Sequence, residues 1–112
     1  MQIRVNPWPR IFHRSVGIVP SGGGTPIQLT SDQGQSWPAD WSPDGEKIAF
    51  AGLRNGVWNL YRVSRRDKTE KQITNYTKTK SSVRYPTWSS RGDQIVYEYT
   101  ETTGNIWMMR MN

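Results

Sequence analysis

A pentapeptide occurs twice in this chain: WSPDG at residues 41–45 and, with two changes, WSSRG at residues 88–92. The copies start 47 residues apart, and the residues after each copy also match. Lys47-Ile48-Ala49-Phe50 is answered by Gln94-Ile95-Val96-Tyr97, and Asn59-Leu60-Tyr61 by Asn105-Ile106-Trp107. A repeat of this length made of short apolar runs is the sequence form of stacked sheets, one supersecondary unit per repeat. The second match is spaced at 46 residues, so one residue is lost between Tyr97 and Asn105. The first copy has its Gly-rich run, residues 52–56, at that place. A deletion in a hairpin loop leaves both strand faces intact, whereas one inside a strand turns every later side chain to the other face.

A partial third copy lies upstream. Gln28-Leu29-Thr30 matches Gln72-Ile73-Thr74 at an offset of 44. At that offset Val16 meets Leu60, Val19 meets Val63, and the turn-like run 21–25 takes the place of 65–69. Two apolar runs around such a stretch form a hairpin.

One unit reads as four strands. The first spans 38–42 and ends at the Trp. Ser42-Pro43-Asp44-Gly45 then turns the chain: Pro presets φ, Asp bonds its own backbone, and Gly supplies φ > 0. The second strand, 47–52, sets the large Ile48 and Phe50 against the small Ala49 and Ala51. Asn55-Gly56 is a hairpin signal, the third strand spans 57–64, and the fourth 71–74. Such a face pattern suits a sheet covered on both sides. The expected fold is all-β, built of β-propeller blades of four antiparallel strands. About two and a half blades are present: the last two strands of one in 15–30, a complete one in 38–74, and an incomplete one in 84–112. Residues 1–14 stay unassigned, although 2–5 have strand composition and Pro7 and Pro9 break any longer element.

No stretch has helical apolar spacing, and none is long and apolar enough to span a membrane. Nor do residues 1–14 hold an apolar run of signal-peptide length. The absence of cysteine removes disulfides, thiolate catalysis and Cys-based zinc sites. His13 is the single histidine, and no G-x-S-x-G elbow or D-x-D-x-D-G loop occurs. A Ser–His–Asp relay, a zinc site and an EF-hand are therefore not expected. Asp40, Asp44, Glu46, Asp93, Glu98 and Glu101 would be the carboxylates of a glycosidase pair, but turn formation accounts for Asp44, Glu46 and Asp93. No catalytic residue, metal ligand or cofactor is assigned.

Three groups of residues stand out as candidates. Trp41, Ser42, Pro43, Asp44, Gly45, Trp88, Ser89 and Gly92 form the blade signature, with a structural role. Trp37 and Trp58, like Trp8, have no repeat partner, which makes them candidates for stacking on a ligand ring. The net charge is +6, and eight of the fifteen Lys and Arg fall in 62–84. They are Arg62, Arg65, Arg66, Lys68, Lys71, Lys78, Lys80 and Arg84. Their functional reading is a patch for an anionic partner; the competing reading, a solvated rim that discourages edge-to-edge pairing, is preferred over a nucleic-acid surface.

The run 38–50 with Asn59-Leu60-Tyr61 and Gln72-Ile73-Thr74, and its second copy Tyr85-Pro86-Thr87-Trp88-Ser89-Ser90-Arg91-Gly92 with Ile95, Tyr97 and Asn105-Ile106-Trp107, resembles the TolB-type (WD40-like) propeller repeat. The resemblance runs from about residue 16 onward. It implies a ring of six to eight blades, a non-catalytic role in protein or peptide binding, and a periplasmic or extracytoplasmic setting. It also implies an alternative, a substrate-gating propeller fragment of a prolyl-oligopeptidase-like hydrolase, while the tryptophans without repeat partners suggest another, a lectin-like oligomeric ring that binds carbohydrate or a small ligand between blades. Arg91 departs from the pattern by replacing the turn Asp. Rings carry typically four to eight blades, so this stretch is expected to close one either as a homo-oligomer, a trimer first, or as part of a larger propeller.

Overall fold

The computed structural model describes residues 2–5, 16–30, 34–101 and 104–111. All regular structure in them is strand: β1 (Gln2–Val5), β2 (Val16–Val19), β3 (Ile27–Gln28), β4 (Gln35–Trp41), β5 (Lys47–Arg54), β6 (Val57–Ser64), β7 (Glu70–Gln72), β8 (Ser82–Trp88), β9 (Gln94–Glu101) and β10 (Gly104–Met111). They form three antiparallel sheets in sequential order: β1-β2-β3, β4-β5-β6-β7 and β8-β9-β10. The fold is all-β with open sheets, as the repeat implies. The first sheet holds one strand more than the two expected in 15–30, because β1 pairs with β2 from Gln2↔Val19 to Val5↔Val16.

The middle sheet is buried on both faces. Ile48, Phe50 and Val63 pack with Val16 and Ile18 of the first sheet and Leu29 just after it, and Trp41 and Tyr61 lie against them. Ala49, Ala51 and Leu60 point the other way and meet Val83, Trp88, Ile95, Tyr97 and Tyr99 of the third sheet. Large side chains thus fill one interface, while small ones let the third sheet and its aromatics come close. Trp41 and Trp88 occupy matching places, each turned toward the preceding sheet.

The repeated motifs form repeated contacts. In the first turn Ser42 Oγ donates to Asp44 Oδ1 at 2.6 Å and accepts from Lys47 N at 3.0 Å. Glu46 N also donates to Asp44 Oδ1, at 3.0 Å. In the second, Ser89 Oγ accepts from Gln94 N at 3.2 Å and donates to Asp93 Oδ1 at 3.0 Å. Asp93 therefore supplies the acceptor that Arg91 cannot. Gly45 and Gly92 close the two turns at φ 73° and 77°, a region that L side chains rarely adopt.

The Gln-x-Thr motifs close the outer strands identically. Thr30 Oγ1 accepts from Val16 N and Thr74 Oγ1 from Leu60 N, both at 2.9 Å. Gln28 and Gln72 each donate to the carbonyl of their own Thr, at 2.8 and 2.7 Å. The threonine hydroxyl takes a ladder N–H where the backbone turns away, so β3 and β7 end two residues before their expected ends. Asn55-Gly56 adopts positive φ at both residues (54° and 77°), as a two-residue hairpin turn of type I′ requires.

Arg54 carries no sequence signal of its own, yet it ties the middle sheet together. Its guanidinium lies 5.0 Å from the Tyr61 ring centroid and donates to Gln35 O at 3.1 Å, Ser36 Oγ at 3.3 Å and Glu70 Oε1 at 3.4 Å. Gly52 gives these groups room. A Cβ there would meet Tyr61 Cδ1 at 2.8 Å and Arg54 Nη1 at 2.9 Å. Gly52→Ala is expected to destabilise the fold by about 1–3 kcal/mol through overpacking. Trp88→Ala, at a site 7% exposed, is expected to cost about 3–5 kcal/mol, more than Trp41→Ala, where the ring is only partly buried. Denaturant midpoints at constant m measure all three.

Candidate functional site

The candidate site grows from two irregular strands. β4 and β8 occupy matching edges of their sheets, and each carries a bulge. In β4, Pro38 faces Phe50 while Asp40 faces Ala49, so residue 39 is extra. Side chains four apart on a regular strand share a face. The extra residue shifts that parity: Trp41 stands opposite Ile48 and Trp37 opposite Ala51. Trp41 therefore packs toward the first sheet while Trp37 turns toward the third. In β8, Arg84 faces Glu98 and Thr87 faces Val96, so Tyr85 and Pro86 stand opposite Tyr97 alone. Tyr85 has φ 54°, a left-handed backbone that bulky residues rarely adopt.

The two strands are pinned together at one end. Trp88 N donates to Asp40 Oδ2 at 3.0 Å, and Trp88 Nε1 donates to the Asp40 carbonyl at 3.2 Å. Beyond this pin a groove of about 710 Å³ opens, with Trp37, Ala51 and Trp58 on one side and Ser82–Thr87 on the other. Its rim is aromatic and exposed: Trp37 is 43% exposed and Tyr85 63%. Among the described residues, Arg84 is the charged one of the lining. Its Nε donates to Glu98 Oε1 at 3.0 Å, and its guanidinium carbon lies 5.4 Å from the Tyr85 ring centroid. Glu98 is buried and also accepts from Thr100 Oγ1 at 3.2 Å.

The groove gathers Trp37 and Trp58 with Arg84 of the basic run, and adds Tyr85 and Pro86. The sequence held one signal for these: a proline inside a strand marks an edge or a bulge, and Tyr85-Pro86 sits in one. The blade-signature residues lie in the turns and at the sheet interfaces, and outside the groove lining. Trp8 and His13 fall outside the described residues, as does the side chain of Trp107.

The six carboxylates are engaged in structure. Besides Asp40, Asp44, Asp93 and Glu98, Glu46 accepts from Arg66 Nε at 2.7 Å and lies 4.0 Å from Arg65. Glu101 accepts from Tyr99 Oη at 2.7 Å and Lys78 Nζ at 2.9 Å. Among the described residues no cluster suited to a metal ion occurs. The basic run divides accordingly. Arg65, Arg66, Lys78 and Arg84 are paired with carboxylates. Arg62, Lys68, Lys71 and Lys80 have no ion pair among the described residues. Arg62 and Lys71 stand directly opposite each other on β6 and β7, at the rim of the sheet.

A linker network backs the third sheet. Asn59 Oδ1 accepts from Thr74 Oγ1 at 2.8 Å and Tyr76 N at 2.7 Å, and Asn59 Nδ2 donates to Tyr76 O at 3.1 Å. The Tyr76 ring so positioned stacks on Tyr99 at 4.3 Å, and its hydroxyl meets that of Tyr97 at 2.7 Å.

Comparison with known proteins places this geometry. No family model matches the chain. An uncharacterized protein of Agrobacterium fabrum, Atu1656, is 27% identical over 99 residues, which cover 88% of this chain and 32% of that protein. The chain thus spans about a third of this curated relative. Among solved structures, "putative TolB" from Agrobacterium tumefaciens superposes with a TM-score of 0.76 at 24% identity, over 88% of this chain and 34% of that one. TolB from Acinetobacter baumannii gives 0.73 at 19% identity, over 88% and 24%. The fold is that of a section of a TolB-like β-propeller.

The carboxylates of two turns and of the end of β9 set the acid response. The Ser42 hydroxyl and Glu46 amide hold the Asp44 carboxyl below its ordinary value of 3.8. The Thr69 amide does the same for Asp67, and Tyr99 and Lys78 hold Glu101 below its ordinary 4.5. A carboxylate with a depressed folded pKa adds stability above its unfolded value and loses it as pH falls through the folded one. The thermal midpoint is expected to drop as pH falls from about 5 to about 3, and less steeply in Asp44→Asn with Glu101→Gln. Calorimetry across that range checks it.

Proposed function

We propose that the protein is a non-catalytic β-propeller module that docks another protein, and that an extended segment of that partner lies in the groove between β4 and β8. One observation carries the reading: two large aromatic side chains, Trp37 and Tyr85, stand exposed at the mouth of a groove bordered by strand edges. Exposed aromatics beside an edge strand are the elements that peptide grooves use, apolar anchors for affinity and strand addition for register. The TolB-like fold supports a propeller module without naming a partner. The paired carboxylates support the non-catalytic part, because each is committed to a turn, a cation or an amide.

Further blades complete the ring in this reading. If three chains supply them, light scattering gives three times the 12.9 kDa chain mass. A folded particle of 12.9 kDa assigns ring completion to sequence outside this chain.

Selection of displayed peptides on the folded protein, with counter-screening on Trp37→Ala and Tyr85→Ala, tests the docking role. Each variant is expected to weaken the selected peptides about tenfold or more, as loss of an anchor does. No enrichment, or equal binding to the variants, overturns it. A lectin-like ring is the second reading, favoured by the side chains that share the groove: aromatic faces at Trp37, Trp58 and Tyr85, and polar groups at Ser82, Arg84 and Thr87. Glycan-array binding lost in Trp37→Ala would select that reading instead.

A further inference from the structure

We infer that Arg84 makes the groove selective for acid: the segment it takes carries a carboxylate beside a ring side chain, aromatic or proline. The inference rests on the peptide-docking reading and specifies its ligand.

Three features converge on Arg84. The first is orientation. Glu98 is buried and receives both Nε and Nη2 of the guanidinium, each on the single oxygen Oε1. Thr100 Oγ1 donates to the same oxygen, which fixes the carboxylate in turn. Such an arrangement holds one edge of the guanidinium toward the protein. The Nη1 edge keeps its donors for a ligand, and the side chain as a whole is 48% exposed. Arg presents donors in a planar fork that matches a carboxylate.

The second is place. Among the described residues, Arg84 is the charged one of a lining that is otherwise aromatic, aliphatic or hydroxyl-bearing. The Arg84–Glu98 pair is neutral as a unit, yet its exposed pole is the cation. In a chain of net charge +6, with Lys80 unpaired among the described residues two positions before β8, the field at this mouth favours an acidic segment over a basic one.

The third is the neighbour. Tyr85 stands beside Arg84, its ring 5.4 Å from the guanidinium carbon, and it stands there in a left-handed backbone just before a proline. Strained conformations of this kind persist where the surrounding structure over-determines them, and they cluster at ligand clamps. The outcome is a ring platform and a carboxylate fork one residue apart. A ligand residue that stacks on Tyr85 or Trp37 brings the acid of its neighbour to Arg84.

Two synthetic libraries of blocked peptides test this. Both centre on tryptophan, phenylalanine or proline; one flanks that residue with aspartate and the other with asparagine. Retention on the immobilised protein is read at low and at high salt. The aspartate library is expected to be retained about tenfold more strongly, the worth of one charge-assisted pair, and salt should erode that margin. Arg84→Lys should shrink the margin, because an ammonium lacks the fork, while retention of the asparagine library stays. The double variant Arg84→Met with Glu98→Gln removes both charges together, so no buried carboxylate is left alone, and it should abolish the margin in a protein that still folds by circular dichroism. Equal retention of the two libraries, or a margin unchanged in the double variant, overturns the acid preference while leaving peptide docking in place. Retention of neither library overturns both.

Discussion

A sheet that is apolar on both faces has to be covered twice, and the rest of this structure depends on how the middle sheet meets that demand. Ile48 and Phe50 look one way, Ala49 and Ala51 the other. Burial is worth roughly 25 cal/mol per Å² of apolar surface, and neither face gains it from its own sheet. Each must recruit a neighbour, so the blade is stable only as a member of a stack. Asymmetry in side-chain size then sets the spacing. The alanine face admits a close neighbour with large aromatics, and Trp88, Tyr97 and Tyr99 fill that interface from the opposite side.

The same stacking explains the polar fittings. Stacked sheets leave turns and strand ends that need partners for their amides, and a repeat meets that need in the same way each time. Ser42 and Ser89 turn the chain after the Trp; Thr30 and Thr74 take an N–H where the outer strand leaves the ladder. Where the second turn lacks its Asp, Asp93 provides the oxygen from two residues further on. The requirement is for an acceptor near the serine hydroxyl rather than for a residue at one position.

Irregularity sits where function is proposed. Both edge strands bulge, and in both cases the bulge re-aims an aromatic side chain: Trp37 away from Trp41 in β4, and Tyr85 outward in β8. A bulge disrupts the ladder locally and raises twist. Pinning β4 to β8 through Asp40 and Trp88 holds the strands at one end and lets the groove open at the other. Arg54 on the opposite face, and Asn59 of β6 through its bonds to the linker at Tyr76, give those strands a rigid backing.

Much of this was written in the residue order itself. Strand period, Ser-Pro-Asp-Gly turns, the Asn55-Gly56 hairpin and the Gln-x-Thr endings are local, since each depends on residues a few positions apart whose backbone preferences act in any context. The sheet-facing pattern at 48–51 was readable for the same reason. Other features need tertiary structure. The parity change that sends Trp37 and Trp41 to opposite faces comes from one extra residue in a ladder, and only the partner strand reveals it. Asp40 meets Trp88 across 48 residues, and Arg84 acquires its pose from Glu98 on another strand. Local chemistry determined what each element is. Which side chains remain exposed, and which charges stand together, was decided by packing between sheets, because exposure and electrostatic environment belong to the assembled surface rather than to any segment of the chain.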